Sequence, residues 1–364
     1  MQLKDITNYL ETLAPISSQE SYDNSGYITG DRNADLTNTL ITLDCIEETV
    51  DEAIEKGCNL IIAHHPIVFK GLKSLTGKNY IERTVIKAIK NDIAIYACHT
   101  NLDNYKGGVN KKIGELIGIK NPAILSPSHS SLEKLAVFVP ETYENIVKDS
   151  LFNAGAGSIE NYTNCSFSAK GEGSFKANSE ANPFAGKVNE QHFEKEVRVE
   201  MVISAHKRAA VVAALINSHP YETPAYNIIP MLNKNRDEGA GMYGELQTEM
   251  NTLDFLKLLK KQFNCSNIRH TNIHKKTIKT VAWCGGSGSF LLRSAKGVNA
   301  DIFITGDFKY HEFFDAENQI IIADIGHYES EQYTIDLIGD LISKKFIKFA
   351  PYLTERNTNP VNYF

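Results

Sequence analysis

The 364-residue chain reads as an α/β protein in which two α/β segments flank an inserted α+β domain. Three observations predict this. Short apolar runs alternate with helix-patterned stretches near the N-terminus, the same alternation returns near the C-terminus, and the segment between them has a different element order.

The first segment opens with Leu3, Ile6, Tyr9, Leu10 and Leu13 at helical spacing through a polar stretch, which predicts an amphipathic helix. Strands at residues 40–43, 60–63 and 93–98 then alternate with helices at 47–56 and 81–90, the rhythm of a largely parallel sheet. The middle runs strand 135–139, helix 143–152, strand 166–169, strand 197–204, helix 209–217 and strand 226–229. That is the βαββαβ order of a ferredoxin-like unit. Pro122 and Ser126-Pro127-Ser128 mark its entry, and the polar, charged and glycine-containing stretch 233–241 marks its exit. Residues 170–196 are polar and glycine-containing, so a mobile or partner-ordered loop is expected there. The α/β rhythm resumes with strands at 280–284, 301–305 and 320–324, and with helices from Ser287, Phe308 and Tyr328. The expected domains are therefore a core of residues 1–125 with 235–364 and an insert of residues 128–232.

Composition narrows the function classes. Hydrophobic residues make up 42% and charged residues 23%, the balance of an ordinary globular protein. With 38 basic and 44 acidic residues the net charge is -6, which gives no broad attraction for nucleic acid or an anionic membrane. No apolar run approaches the roughly 18 residues of a membrane span, and the N-terminus lacks a basic stretch followed by an apolar one. A cytoplasmic protein is expected. Six cysteines are scattered without a CxxC pair and read as reduced core residues.

The chemistry gathers at strand ends. Leu60-Ile61-Ile62-Ala63 ends abruptly in His64-His65-Pro66, at the carboxyl edge where α/β sheets hold their ligands. Adjacent residues leaving a strand point in different directions, so the two histidines suit one ion each better than joint chelation. A second strand ends in His99-Thr100-Asn101-Leu102-Asp103, and a third leads into Gly326-His327-Tyr328-Glu329-Ser330-Glu331. On a helix starting near Gly326, His327 and Glu331 share one face. The candidate metal ligands are thus His64, His65, Asp103, His327 and Glu331, with a carboxylate bridging and Asp103 the best-placed one from the first segment. Two divalent ions fit three imidazoles and two carboxylates, and the set suits zinc, manganese, iron, cobalt or nickel. His99, Asp307 and His311 occupy comparable places, either orienting ligands and moving protons or serving as an ordinary cap and surface histidines. Asp44, ending the first strand, is a weaker candidate.

Two glycine-rich stretches compete for attention. Gly71 to Lys78 has five residues between its glycines and Asn after Lys, which fails the P-loop pattern. Cys284-Gly285-Gly286-Ser287-Gly288-Ser289 follows a strand, either cradling an anion or making a tight turn with a serine cap. His219-Pro220-Tyr221-Glu222-Thr223-Pro224 suits a rigid turn before a strand, with a small binding site at His219, Tyr221 and Glu222 as the other reading.

Taken in order, Asp23-Asn24-Ser25-Gly26, Ala63-His64-His65-Pro66, His99 to Asp103, Thr305-Gly306-Asp307 and Gly326 to Glu331 resemble the dinuclear-metal, hexameric family of GTP cyclohydrolase 1 type 2 homologues. The segment ending at Tyr226 is similar to the PII-like insert of its longer members. The resemblance implies a toroidal homohexamer with metal sites facing its cavity and inserts covering its openings. It also implies a metal-dependent hydrolase that opens the imidazole ring of GTP with loss of formate. Hydrolysis of a nucleotide or another phosphate-containing small molecule needs the same metals, and a non-catalytic metal-binding or regulatory hexamer is the alternative.

Overall fold

The computed structural model describes residues 1–129 and 131–364. The described chain forms two compact units, Met1–Pro127 with Asp237–Phe364 and Ser128–Arg236. The first stretch holds strands β1 (Gly26–Thr29), β2 (Thr39–Asp44), β3 (Leu60–His65), β4 (Ala94–Ala97) and β5 (Ala123–Ser128). Its helices are α1 (Leu3–Leu13), α2 (Glu47–Glu55), α3 (Tyr80–Lys90), α4 (Thr100–Asn104) and α5 (Val109–Leu116). Next come β6 (Leu132–Pro140), α6 (Glu144–Asn153), β7 (Phe167–Lys176), β8 (Gln191–Ser204), α7 (Arg208–Ser218) and β9 (Tyr226–Pro230). The chain continues through β10 (Asn235–Asn251), α8 (Thr252–Gln262), β11 (Arg269–His270), β12 (Thr277–Ser287), α9 (Leu292–Gly297) and β13 (Ile302–Gly306). It ends with β14 (Ile321–Asp324), α10 (His327–Glu331), α11 (Thr334–Lys345) and β15 (Tyr352–Leu353).

The larger unit contains two sheets, ordered β1-β4-β3-β2-β15 and β11-β14-β13-β12-β10-β5. Strands β2, β3 and β4 are parallel, as are β12, β13 and β14. Both central sets are apolar on two faces because helices cover both sides. On the first sheet Ile41, Leu60, Ile62 and Tyr96 pack with Leu3, Ile6 and Leu10 of α1 and with Trp283 and Ile304 of the second sheet. Leu40, Ile61 and Ile95 on the opposite face meet α2 and α3 through Val50, Ala53 and Val85.

The sheets do not coincide with the two sequence segments. β15, from the C-terminus, pairs Tyr352 with Leu40 and Leu353 with Ile41, and β5, from the first segment, joins the edge of the second sheet. Each sheet therefore takes an edge strand from the other segment. The segment from Phe308 is a 3₁₀ turn, Tyr310–Ala316, and not an α-helix.

The smaller unit has the order β6-α6-β7-β8-α7-β9 and one antiparallel sheet ordered β7-β8-β6-β9. Val137, Val199 and Met201 on one sheet face pack with Val147 and Leu151 of α6 and Val211 and Leu215 of α7. The loop expected over 170–196 spans residues 177–190, and its two ends form a two-stranded arm paired from Gly171 with Glu196 to Lys176 with Gln191. Residues of β7 on both faces reach solvent, so ladder hydrogen bonds hold this arm without leaving the apolar alternation that marks a half-buried strand. The exit expected over 233–241 is likewise taken up mostly by the start of β10. His219 fixes the turn before β9: Nε2–H donates to the Phe138 carbonyl at 2.9 Å, and Nδ1 accepts from the Tyr221 N–H at 3.1 Å. Among the described residues no helix is long and apolar enough to cross a membrane.

Candidate metal centre

The carboxyl ends of parallel strands from both sheets bring the candidate ligands together. β3 delivers His64 and His65, β4 is followed by His99 and by Asp103 on α4, and α10 after β14 carries His327 and Glu331. Strand ends suit this use because the backbone leaves the ladder there and side chains no longer need to alternate between packed faces.

Glu331 joins two groups of donors. Its Oε1 lies 3.7 Å from His64 Nε2, which is 3.7 Å from Asp103 Oδ1. Its Oε2 lies 3.0 Å from His65 Nε2 and 3.1 Å from His327 Nε2, and those two nitrogens are 3.3 Å apart. In each group the ligand atoms fall within 4.8 Å of one another. Asp103, the best-placed bridging carboxylate from the first segment by sequence, meets only the His64 side of this arrangement, while Glu331 spans both.

The outer nitrogens are committed elsewhere, which sets the tautomers. His64 Nδ1–H donates to the Cys98 carbonyl at 2.9 Å, His65 Nδ1–H to Asp44 at 2.8 Å, and His327 Nδ1–H to Asp307 at 2.7 Å. Each leaves Nε2 facing the centre, the arrangement by which outer hydrogen bonds aim metal-ligating imidazoles. His64 Nε2 and Asp103 Oδ1 are buried and have no hydrogen-bond partner. Leaving such atoms unpaired costs about 1–3 kcal/mol each. A cation between them removes that cost, since two ligands at about 2.1 Å from one ion lie about 3.4 Å apart. The donor set therefore fits a divalent metal.

The charges of the metal-free site agree. Burial opposes charging His65, yet Asp44 and Glu331 outweigh it and push its pKa up to about 9. Glu331 and Asp307 likewise overcome burial and take His327 to about 11. Burial works to protonate Glu331, but His327, His64 and His65 hold it well below the usual carboxylate range. Burial, with the neighbouring Glu331 charge, raises Asp103 instead. Imidazoles charged by crowded carboxylates mark a place that attracts positive charge.

Glycines shape the wall behind Glu331. A Cβ on Gly286, whose φ is +58°, would lie 2.4 Å from Glu331 Oε1. The Gly285 and Gly286 N–H groups donate to Asn110 Oδ1 and Ser330 Oγ at 3.1 and 2.9 Å. These two amides are therefore taken up by the protein, and the glycines give Glu331 room.

The profile of the Duf34/NIF3 (NGG1p interacting factor 3) family matches residues 1–360. The chain belongs to this family. It is 36% identical over 368 residues to a GTP cyclohydrolase 1 type 2 homolog of Staphylococcus epidermidis, covering 100% of both chains. It is 37% identical to the Bacillus subtilis protein of that name, over 99% of this chain and 98% of the relative. Among solved structures, a Bacillus cereus protein related to NIF3 superposes with a TM-score of 0.86 at 34% identity, over 100% of this chain and 99% of the other.

In this Duf34/NIF3 chain all five candidate ligands meet at one place. Of His99, Asp307 and His311, Asp307 holds His327. It does so from a left-handed conformation, φ +58°, uncommon for a residue with a side chain. His99 stands beside the centre, its ring 5.3 Å from that of His64 and 5.4 Å from that of His65. His311 lies elsewhere, exposed and packed with Tyr310 and Phe314. Sequence reasoning gave no role to Asp23, which binds His99 Nδ1 at 2.7 Å and also the Thr100 N–H and hydroxyl. Those bonds overcome burial and keep the Asp23 carboxylate strongly acidic. The Asp23-Asn24 dipeptide was the available signal, without a partner to explain it. All six cysteines are free, five of them buried, and burial lifts the nearby Cys98 thiol to about 12, so it stays protonated at neutral pH.

Proposed function

We propose that this protein is a hydrolase using two divalent ions, one held by His64, Asp103 and Glu331 and the other by His65, His327 and Glu331. The observation that carries this reading is the pair of donor groups sharing Glu331 beside an open cavity of ≈ 1120 Å³, whose wall includes His65, His99, Asp307 and His327. A purely structural ion would need no such access.

When bound, divalent ions at these residues lower the pKa of water and polarise a carbonyl, ring carbon or phosphoryl group. The chain's own side chains do the rest. Cys98, Asp44 and Asp307 hold the three imidazoles in register. His99, oriented by Asp23, takes up and returns a proton at Nε2, as general acid–base work requires of a positioned imidazole. Because the relatives are named GTP cyclohydrolase 1 type 2 homologs, ring-opening hydrolysis of GTP with release of formate is the first reaction to test. Nucleotide and phosphoester hydrolysis comes second. The proposed assembly is a homohexamer, with the Ser128–Arg236 unit as its PII-like insert and the cytoplasm as its compartment.

The test is a panel of nucleotides and phosphoesters turned over by metal-loaded protein, with formate and phosphate release as readouts. Activity should vanish with chelation, return with metal in the wild type, and be lost in His99→Gln while metal content persists. A protein that holds both ions and turns over nothing would favour a regulatory metal-binding role.

A further inference from the structure

The smaller unit has a cavity of its own, ≈ 610 Å³, on the sheet face opposite α6 and α7. That volume falls within the range of small-molecule sites. It has no part in the proposed metal chemistry and its reading is independent of it.

The floor is built to leave space. β7 places Gly171 and Gly173 opposite Glu196 and Glu194, although glycine weakens a strand. A Cβ on Gly171 would meet nothing within 4 Å, whereas one on Gly173 would lie 2.1 Å from Glu196 Oε2. Gly173 thus lets the Glu196 carboxylate lie over the strand, and Gly171 opens the space beside it. Aromatic rings form the walls: Tyr221 stands 6.0 Å from Phe175 and 6.1 Å from Phe184, centroid to centroid. Phe184 is half exposed, a large apolar side chain turned to a cavity instead of a core.

The charges favour one kind of ligand. Glu196 Oε1 accepts from the Tyr221 hydroxyl at 2.9 Å, and Glu222, which accepts from the Asn182 N–H at 3.3 Å, also lines the space. The two bases in the lining already face acids, Arg198 with Glu200 at 2.6 Å and Lys170 with Glu141 at 3.3 Å. Carboxylates therefore outweigh cations inside an aromatic enclosure, the combination that recognises an organic ammonium group.

We propose that this cavity binds a small organic cation with an apolar body, its nitrogen against Glu196 and Tyr221 and its body between Phe175 and Phe184. The turn that His219 locks is then what holds Tyr221 and Glu222 at the rim. Of the three residues singled out there from sequence, one is structural and two belong to the site.

Saturation-transfer NMR on the full chain tests this with three probes of similar shape: phenethylamine, 2-phenylethanol and 3-phenylpropanoate. The amine should bind about tenfold more tightly than the alcohol, given the strength of cation–π and charge-assisted contacts, and the acid should bind weakest. Glu196→Gln should erase the preference for the amine over the alcohol. Gly171→Leu, with folding verified by its thermal melt, should fill the space and abolish binding of both. The proposal is overturned if the amine does not bind, if alcohol or acid binds as well as amine, or if Gly171→Leu leaves amine binding intact.

Discussion

Replacing Gly286 by alanine should weaken metal binding while every ligand residue stays in place. The added methyl would lie 2.4 Å from Glu331 Oε1, 3.1 Å from its Cδ and 3.2 Å from His327 Cε1. Comfortable carbon contacts begin at about 3.5 Å, so the carboxylate must withdraw by about 1 Å. Metal ligands hold their distances to about 0.2 Å, and both donor groups share this carboxylate. Affinity for both ions should therefore fall by about 100-fold, toward the upper end of what losing a supporting contact costs. The left-handed backbone, φ +58°, adds about 1–2 kcal/mol for a residue with a Cβ. That lowers the metal-free melting temperature by about 2–8 °C and leaves the protein folded. Gly297→Ala is the control, because its Cβ would meet nothing within 4 Å. The assay is titration against a chromogenic chelator with melting curves alongside. Wild-type affinity in a folded Gly286→Ala protein would refute the placement of Glu331 between the two groups.

Asp44→Asn and Asp307→Asn should each weaken metal binding by about 10–100-fold, read by the same chelator titration, because each removes the carboxylate that orients an imidazole. In metal-free protein at pH 7, His65 and His327 are protonated, with pKa values of about 9 and about 11. Binding must displace those protons, so calorimetry in buffers of different ionisation enthalpy should show proton release and an affinity that rises from pH 7 to 9; no release would contradict these assignments. Glu82 accepts from the Thr76 N–H and hydroxyl and from the Lys78 N–H, and these bonds lower its pKa to about 2. Its folded pKa lies below its unfolded value, so the stability it contributes is full above about pH 4.5 and fades as pH falls through 2. Urea unfolding should find Glu82→Gln less stable than wild type at pH 7, and the gap should close toward pH 2.

What the sequence revealed followed from local pattern. His64 and His65 stand out because four apolar residues end abruptly in them, and His327 with Glu331 because four-residue spacing puts both on one helical face. The supporting contacts were not legible, because they join distant parts of the chain: His65 and Glu331 are 266 residues apart, and Asp23 and His99 are 76. Nothing near Glu331 shows that its two oxygens face different histidines. The β7–β8 arm escaped notice because its outer part buries neither face, and β15 because two residues leave no period to detect. Gly285 and Gly286 left an anion cradle and a tight turn equally open, because the sequence shows flexible backbone but not that Asn110 and Ser330 take up its N–H groups.

Metal stoichiometry tests the central claim most directly. Elemental analysis should be run on wild type and on folded Asp103→Ala, His327→Ala and Glu331→Ala proteins after loading and removal of free metal. Two donor groups joined by Glu331 predict about two divalent ions per wild-type chain, about one in each of the Asp103 and His327 variants, and almost none in the Glu331 variant. A single ion in the wild type, or two retained without Glu331, would contradict it.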